Sequence, residues 1–140
     1  MQQRHIHLKA QVLSAGGSAL DAAEAGVMET ERDSDEHSVG LSGYPDRDGT
    51  VTLDAAIMDG RGRAGSVACV RGVAHPVALA RMVMERTPHV MLVGEGAEKF
   101  ARENGVAVNL PGALHPDAEA AWLKWRDSQV SVPPGLIHGT

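Results

Sequence analysis

Cysteine is nearly missing from this chain. Cys69 is its single thiol, so no internal disulfide can staple the fold and no oxidising compartment is implied. Aromatic residues are scarce too: Tyr44, Phe100, Trp122 and Trp125 complete the set. The apolar content is instead rich in Ala and Val. Side chains that small suit close packing of helix on sheet, or a core completed by another chain. Cationic residues are in the minority, 13 Lys and Arg against 18 Asp and Glu, for a net charge of −5. That excludes nucleic acid as the main partner, since phosphate binding needs a concentrated basic surface. No apolar run reaches the ~18–20 residues of a membrane span. The opening residues, MQQRHIHLKA, lack the apolar stretch of a signal peptide, which gives a cytoplasmic expectation. Internal repeats and low-complexity blocks are absent as well.

The 140 residues make one ordinary domain, able to bury roughly two thirds of its unfolded surface. From Leu8 to Met28, apolar residues recur at spacings of three or four, as on one face of a helix. Gly16-Gly17 interrupts the run, and Ser18 with Asp21 forms a capping box. One broken helix and two abutting helices fit equally well. The longest charged run, Glu29 to Glu36, reads as a solvated acidic loop without calcium-loop spacing. Ser38 to Pro45 is too rich in Gly and Pro for regular structure.

Around the Asp59-Gly60 reversal, Thr50–Met58 and Ala64–Val70 read as a hairpin, with Val51, Leu53, Ala55 and Ile57 on one face. Asp54 puts a charge inside a strand, as an edge residue or as a buried carboxylate with a partner. Asp59 reads as a structural turn residue. Cys69, in an apolar stretch, reads as a small core residue. Pro76 opens a helix that Thr87-Pro88 stops. Val90–Val93 fits a buried strand, and Glu95 to Asn104 a helix ended by Gly105. Pro116 starts a last helix whose Ala118, Trp122 and Trp125 share a packing stripe. The expected class is α+β, with residues 1–140 one domain and 128–140 an extended tail.

Walker A, GxSxG and HExxH patterns are absent. The seven histidines are His5, His7, His37, His75, His89, His115 and His138. Only His5 and His7 are near neighbours, so no metal and no cofactor is expected.

Four segments occur in an order that carries a resemblance. They are Gly16 to Ala22 (GGSALDA), Ser38-Val39-Gly40, Leu53 to Gly60 (LDAAIMDG) and Thr87 to Gly96 (TPHVMLVGEG). Together with the ending His138-Gly139-Thr140 they resemble the α-subunit of the glycosylasparaginase and isoaspartyl-peptidase family of N-terminal-nucleophile hydrolases. The resemblance implies an αββα sandwich, of which this chain supplies the α-subunit half. It implies a precursor that cuts itself before Thr140, with His138 and Gly139 completing the cleavage site. Thr140 would then be the nucleophile, its freed α-amine the base. That amine has a pKa near 7.7–8.0 and so is neutral yet basic close to physiological pH. Ser38 is implied to lie at the active site.

The substrate would be asparagine-like and small, its amide hydrolysed as by an N4-(β-N-acetylglucosaminyl)-L-asparaginase. The isoaspartyl peptidase/L-asparaginase branch is the alternative, marked by Gly139 ahead of the threonine. The partner implied is a β-subunit from the same precursor, which would carry the substrate-binding residues, and the complete enzyme would be a dimer of αβ units. The family begins with a buried strand ahead of the Gly16-Gly17 helix, whereas Met1 to Ala10 contains neither Trp nor Phe. Two other readings stand beside this one: a non-catalytic domain without a β-portion, and a metal- or partner-binding module resting only on the histidines.

Overall fold

A computed structural model describes residues 2–109 and 114–130. The elements are α1 (Gln2–Ser14), α2 (Ala19–Arg32), β1 (Leu53–Met58), β2 (Ala64–Val70), α3 (Pro76–Arg86), β3 (Met91–Val93), α4 (Gly94–Glu103) and α5 (Pro116–Val130). The class is α+β, as expected: three strands in the order β1-β2-β3, with helices packed against them. β1 and β2 pair antiparallel, and β2 and β3 pair parallel across the α3 connection.

The Leu8–Met28 run resolves into two helices. Ser18 caps α2 by accepting the Asp21 N–H at 3.1 Å, while the Asp21 carboxylate accepts the Ser18 N–H at 2.8 Å. Bonds from Ser18 and Arg81 lower the Asp21 pKa to about 2. α1 reaches back to Gln2, further than the apolar period indicated, because Gln, Arg and Lys sustain a helix without leaving an apolar stripe. The chain here is helical where the family resemblance implied a strand.

The hairpin has the expected faces. Val51 and Leu53 are buried, Ala55 and Ile57 half-buried, while Thr52, Asp54, Ala56 and Met58 look outward. The core joins this inner face to Val67, Val70 and Val73, to Leu79, Ala80 and Val83, and to Ala97 and Ala101. Small residues let the layers approach closely. At Gly65 a Cβ would collide with the Ala80 carbonyl oxygen, so β2 lies directly against the α3 backbone.

Two expectations about the strands are corrected. Cys69 is exposed rather than buried. The ladder steps from Leu53–Val70 to Ala55–Val67, which leaves one surplus residue on β2, and Cys69 takes a left-handed φ of 53°. Asp54 resolves the bulge by accepting the Cys69 N–H at 2.7 Å, which makes it a structural edge carboxylate. Asp59 is structural too, accepting the Arg61 and Arg63 N–H groups at 2.9 and 3.0 Å. The second correction concerns β3. It lies at the sheet edge, with Val90, Met91 and Val93 largely exposed, because β2 flanks it on one side only among the described residues.

The acidic run is corrected as well. Glu29 to Arg32 form the last turn of α2, and Glu31 is buried. Its carboxylate caps α3 from another element, accepting the Val77 N–H at 3.1 Å and meeting His75 Nδ1 at 3.2 Å. His75 stands at the α3 N-cap without a side-chain cap bond of its own, so Glu31 supplies the acceptor that the helix start needs. Arg81 ties the same helices at their other side, through Asp21 at 2.7 Å and Glu24 at 2.6 Å. α5 continues to Val130, so residues 128–130 are helix rather than the start of a tail.

Burial raises the Glu31 pKa above its ordinary 4.5, against the opposing pull of Val77 and His75. A carboxyl with a raised folded pKa holds its proton more tightly when folded. Its contribution is therefore complete below 4.5 and is lost as pH rises toward the folded value. Glu31→Gln keeps an oxygen for Val77 but cannot ionise. The Tm difference, variant minus parent, is expected to become more positive as pH rises from 4.5 upward. Thermal unfolding across a pH series measures it, and a flat or opposite trend contradicts the assignment.

Candidate functional site

The loop between α2 and β1 carries Ser38-Val39-Gly40, and the local bonding explains its shape. The Glu36 carboxylate accepts both the Ser38 N–H at 2.8 Å and the Ser38 hydroxyl at 2.5 Å. Those two bonds, the hydroxyl's first, hold the Glu36 pKa below the usual carboxylate range. Further along, Gly43 N–H donates to the Gly40 carbonyl at 3.1 Å and Tyr44 N–H to the His37 carbonyl at 3.0 Å. His37 Nδ1 donates to the Ser42 carbonyl at 2.8 Å. A carbonyl only accepts, so Nδ1 carries the proton and Nε2 keeps the lone pair.

This loop forms one wall of a cavity of about 350 Å³. Val27 and Glu31 of α2, residues 52–56 at the start of β1 and the first residues of α3 form the rest. Ser38 is exposed and lines the cavity, so its hydroxyl reaches a space large enough for a small molecule. Apart from Glu31 and Asp54, the described lining is apolar or hydroxylic, and each of those carboxylates already accepts a backbone N–H. Among the described residues the cavity offers positioning groups and no activated nucleophile. The other catalytic residues of the sequence reading, His138, Gly139 and Thr140, lie outside the described residues.

Sequence reasoning missed one member of the site, Glu31, and a histidine pair close to the Ser38 loop. Glu31 was hidden in a run of charges that reads as solvated, and only its place at the end of the α2 pattern hints at burial. The histidines are less scattered than their numbering suggests: the His37 and His115 rings meet at a tilt of 46° with centroids 5.1 Å apart, and the Tyr44 ring centroid lies 5.4 Å from that of His37. These residues are 78 positions apart, so no local spacing could reveal the pair. Trp122 packs on the same loop, donating from Nε1 to the Arg47 carbonyl at 3.3 Å.

Gly40 fixes the position of Ser38 relative to α2. Its φ is +74°, and a Cβ there would collide with the Glu31 backbone oxygen. Gly40→Ala combines left-handed strain with overpacking, for an expected loss of about 2–4 kcal/mol. Urea unfolding checks it, and a loss under ~0.5 kcal/mol, the size of an ordinary surface change, would contradict the packing described.

The chain matches the family described as Asparaginase over residues 3–132. It is 51% identical over 122 residues to an N4-(β-N-acetylglucosaminyl)-L-asparaginase of Elizabethkingia miricola, covering 86% of this chain and 35% of the relative. It is 50% identical over 96 residues to an isoaspartyl peptidase/L-asparaginase of Rattus norvegicus, covering 68% and 28%. Against an isoaspartyl peptidase of Salmonella typhimurium it is 49% identical over 98 residues, covering 69% and 31%. The chain thus spans about a third of the length of the curated relatives it matches. The Gly16-Gly17 turn, the Ser38 loop and the β1–β2 hairpin all fall within the matched residues, and the match takes in nearly the whole sequence: the chain belongs to the asparaginase family.

Proposed function

We propose that residues 1–140 are one domain, the α-half of a threonine-nucleophile amidohydrolase, which hydrolyses the side-chain amide of a glycosylated asparagine after cutting itself before Thr140. The observation that carries this reading is the similarity to the Elizabethkingia glycosylasparaginase, which extends over 86% of the chain at 51% identity. Matches to the isoaspartyl peptidases are nearly as identical but shorter. The second reading, an isoaspartyl peptidase/L-asparaginase, is favoured by Gly139 ahead of the threonine.

The chemistry proceeds in two stages. In a chain continuing past Thr140, the threonine hydroxyl oxygen attacks the Gly139 carbonyl carbon. The Gly139–Thr140 C–N bond breaks, and the hydroxyl proton passes to the new amine, which leaves an ester. Water then hydrolyses the ester, giving a Gly139 carboxylate and restoring the hydroxyl. Gly139 lacks a Cβ, so its carbonyl is open to close approach. His138, next to that bond in the sequence, would assist as a base. In the second stage the hydroxyl attacks the carbonyl carbon of the substrate amide, its own α-amine taking the proton and returning it to the leaving amine as the C–N bond breaks; water then hydrolyses the resulting ester, releasing the carboxylate product and restoring the hydroxyl.

In this reading Ser38 belongs to the active site of the complete enzyme, where its hydroxyl would bond the nucleophile or its amine. The outward face of β1, with Thr52, Asp54, Ala56 and Met58 exposed, supports a second layer supplied by the β-portion, which would complete an αββα sandwich. Dimerisation of such αβ units belongs to the same proposal, as do substrate-binding residues in the β-portion.

A chain extended through the β-portion is expected to split between Gly139 and Thr140, whereas Thr140→Ala stays whole. Intact mass spectrometry reads the result, and an Ala variant that still splits at that bond overturns the assignment. Supplying the processed protein with a glycosylated asparagine and with a β-aspartyl dipeptide separates the two branches. In the same precursor, Ser38→Ala is expected to slow self-cleavage or turnover by about 10-fold or more, the scale of one lost hydrogen bond to a charged or reacting group. Unchanged rates for both steps would return Ser38 to a loop residue that bonds Glu36.

A further inference from the structure

We propose that His37, His115 and Asp117 form a binding site for a divalent transition-metal ion of the zinc type. Each offers one ligand atom, and these atoms lie within 4.8 Å of one another. The two histidines are half-buried and Asp117 is exposed, so the site has a sheltered side and a solvent side by which an ion would enter. Two further observations point at a cation. The Ser42 carbonyl fixes the His37 proton on Nδ1, leaving the Nε2 lone pair free; carbonyl-oriented imidazoles of this kind are the usual partners of bound metals. His115 Nδ1 is buried and is the one buried side-chain polar atom without a hydrogen-bond partner among the described residues. A buried nitrogen in that state is costly, and an ion would give it a partner.

The donor set decides the class of ion. Two imidazole nitrogens and one carboxylate oxygen are borderline ligands, suited to zinc and its neighbours. Calcium and magnesium prefer oxygen cages, and copper(I) prefers sulfur. Three protein ligands leave a fourth tetrahedral position to water. An ion at ~2.0–2.2 Å from each ligand brings the ligand atoms to about 3.3 Å from one another. Rotation of the exposed Asp117 side chain and a small closing of the two rings supply that change.

The ion would act as a clamp. His115 and Asp117 flank Pro116 at the start of α5, and His37 immediately precedes Ser38. Two coordination bonds from the start of α5 and one from the loop would therefore join α5 to the loop that lines the cavity. Trp122 already makes a weaker contact between the same two elements, through the Arg47 carbonyl.

The test uses the full chain with His5, His7 and His138 changed to Ala, which removes terminal histidines able to chelate on their own. After stripping with a chelator, zinc chloride alone is titrated by calorimetry, and cobalt(II) is added in a parallel sample for its visible spectrum. The expected result is one zinc per chain, tetrahedral cobalt absorption and a raised Tm. His37→Gln and His115→Gln are each expected to weaken zinc binding by about 100-fold or more, beyond the loss typical of an outer-sphere change. Circular dichroism confirms that each variant is folded. If either histidine variant is unfolded, Asp117→Asn at its exposed position takes its place, with a loss of about 10-fold or more expected. No binding by the parent, or binding that these substitutions leave unchanged, overturns the proposal.

Discussion

Glu31 stands where three parts of the chain meet. Its carboxylate closes the start of α3, its position ends α2, and its backbone oxygen is the surface against which Gly40 packs. Removing water from a carboxylate is expensive, and what offsets the expense here is one backbone N–H, one imidazole and the positive end of α3. The arrangement makes the α2–α3 packing and the course of the Ser38 loop a single problem. If Glu31 moves, the helix loses its cap and the loop loses the wall it turns against.

Beyond that point the fold is governed by close approach. A sheet of three strands has little area to bury, and the core residues are mostly Val and Ala. Such a core gains less per residue from burial than one of Leu and Phe, and makes up the difference by bringing backbones together. Gly65 against α3 is the clearest case. The outer face of β1 takes no part in this core, and residues 52–56 at the start of that strand line the cavity.

Local patterns were legible in the sequence, and distant ones were not. The Ser18–Asp21 box is written in four consecutive residues, and the hairpin alternates with a period of two around a turn, so both could be read directly. The bulge at Cys69 could not. It depends on the register against β1, and nothing in an apolar stretch marks the residue that will be left over. β3 was recognisable as a strand, but its edge position depends on strand order, which composition does not encode. The Ser38 loop became a candidate site only through family resemblance, since its spacing alone matches any Gly-rich turn. The contact of His37 with His115 joins residues far apart in the chain, and neither has a neighbour in sequence that would suggest a site.

The bulge has a practical side. Because the surplus residue on β2 turns outward, the chain's only thiol is presented to solvent at the rim of the sheet. Its backbone is fastened to Asp54, which is itself part of the cavity wall. A thiol-directed fluorophore would therefore attach at one place and report on what enters the cavity, with no other cysteine to be removed first.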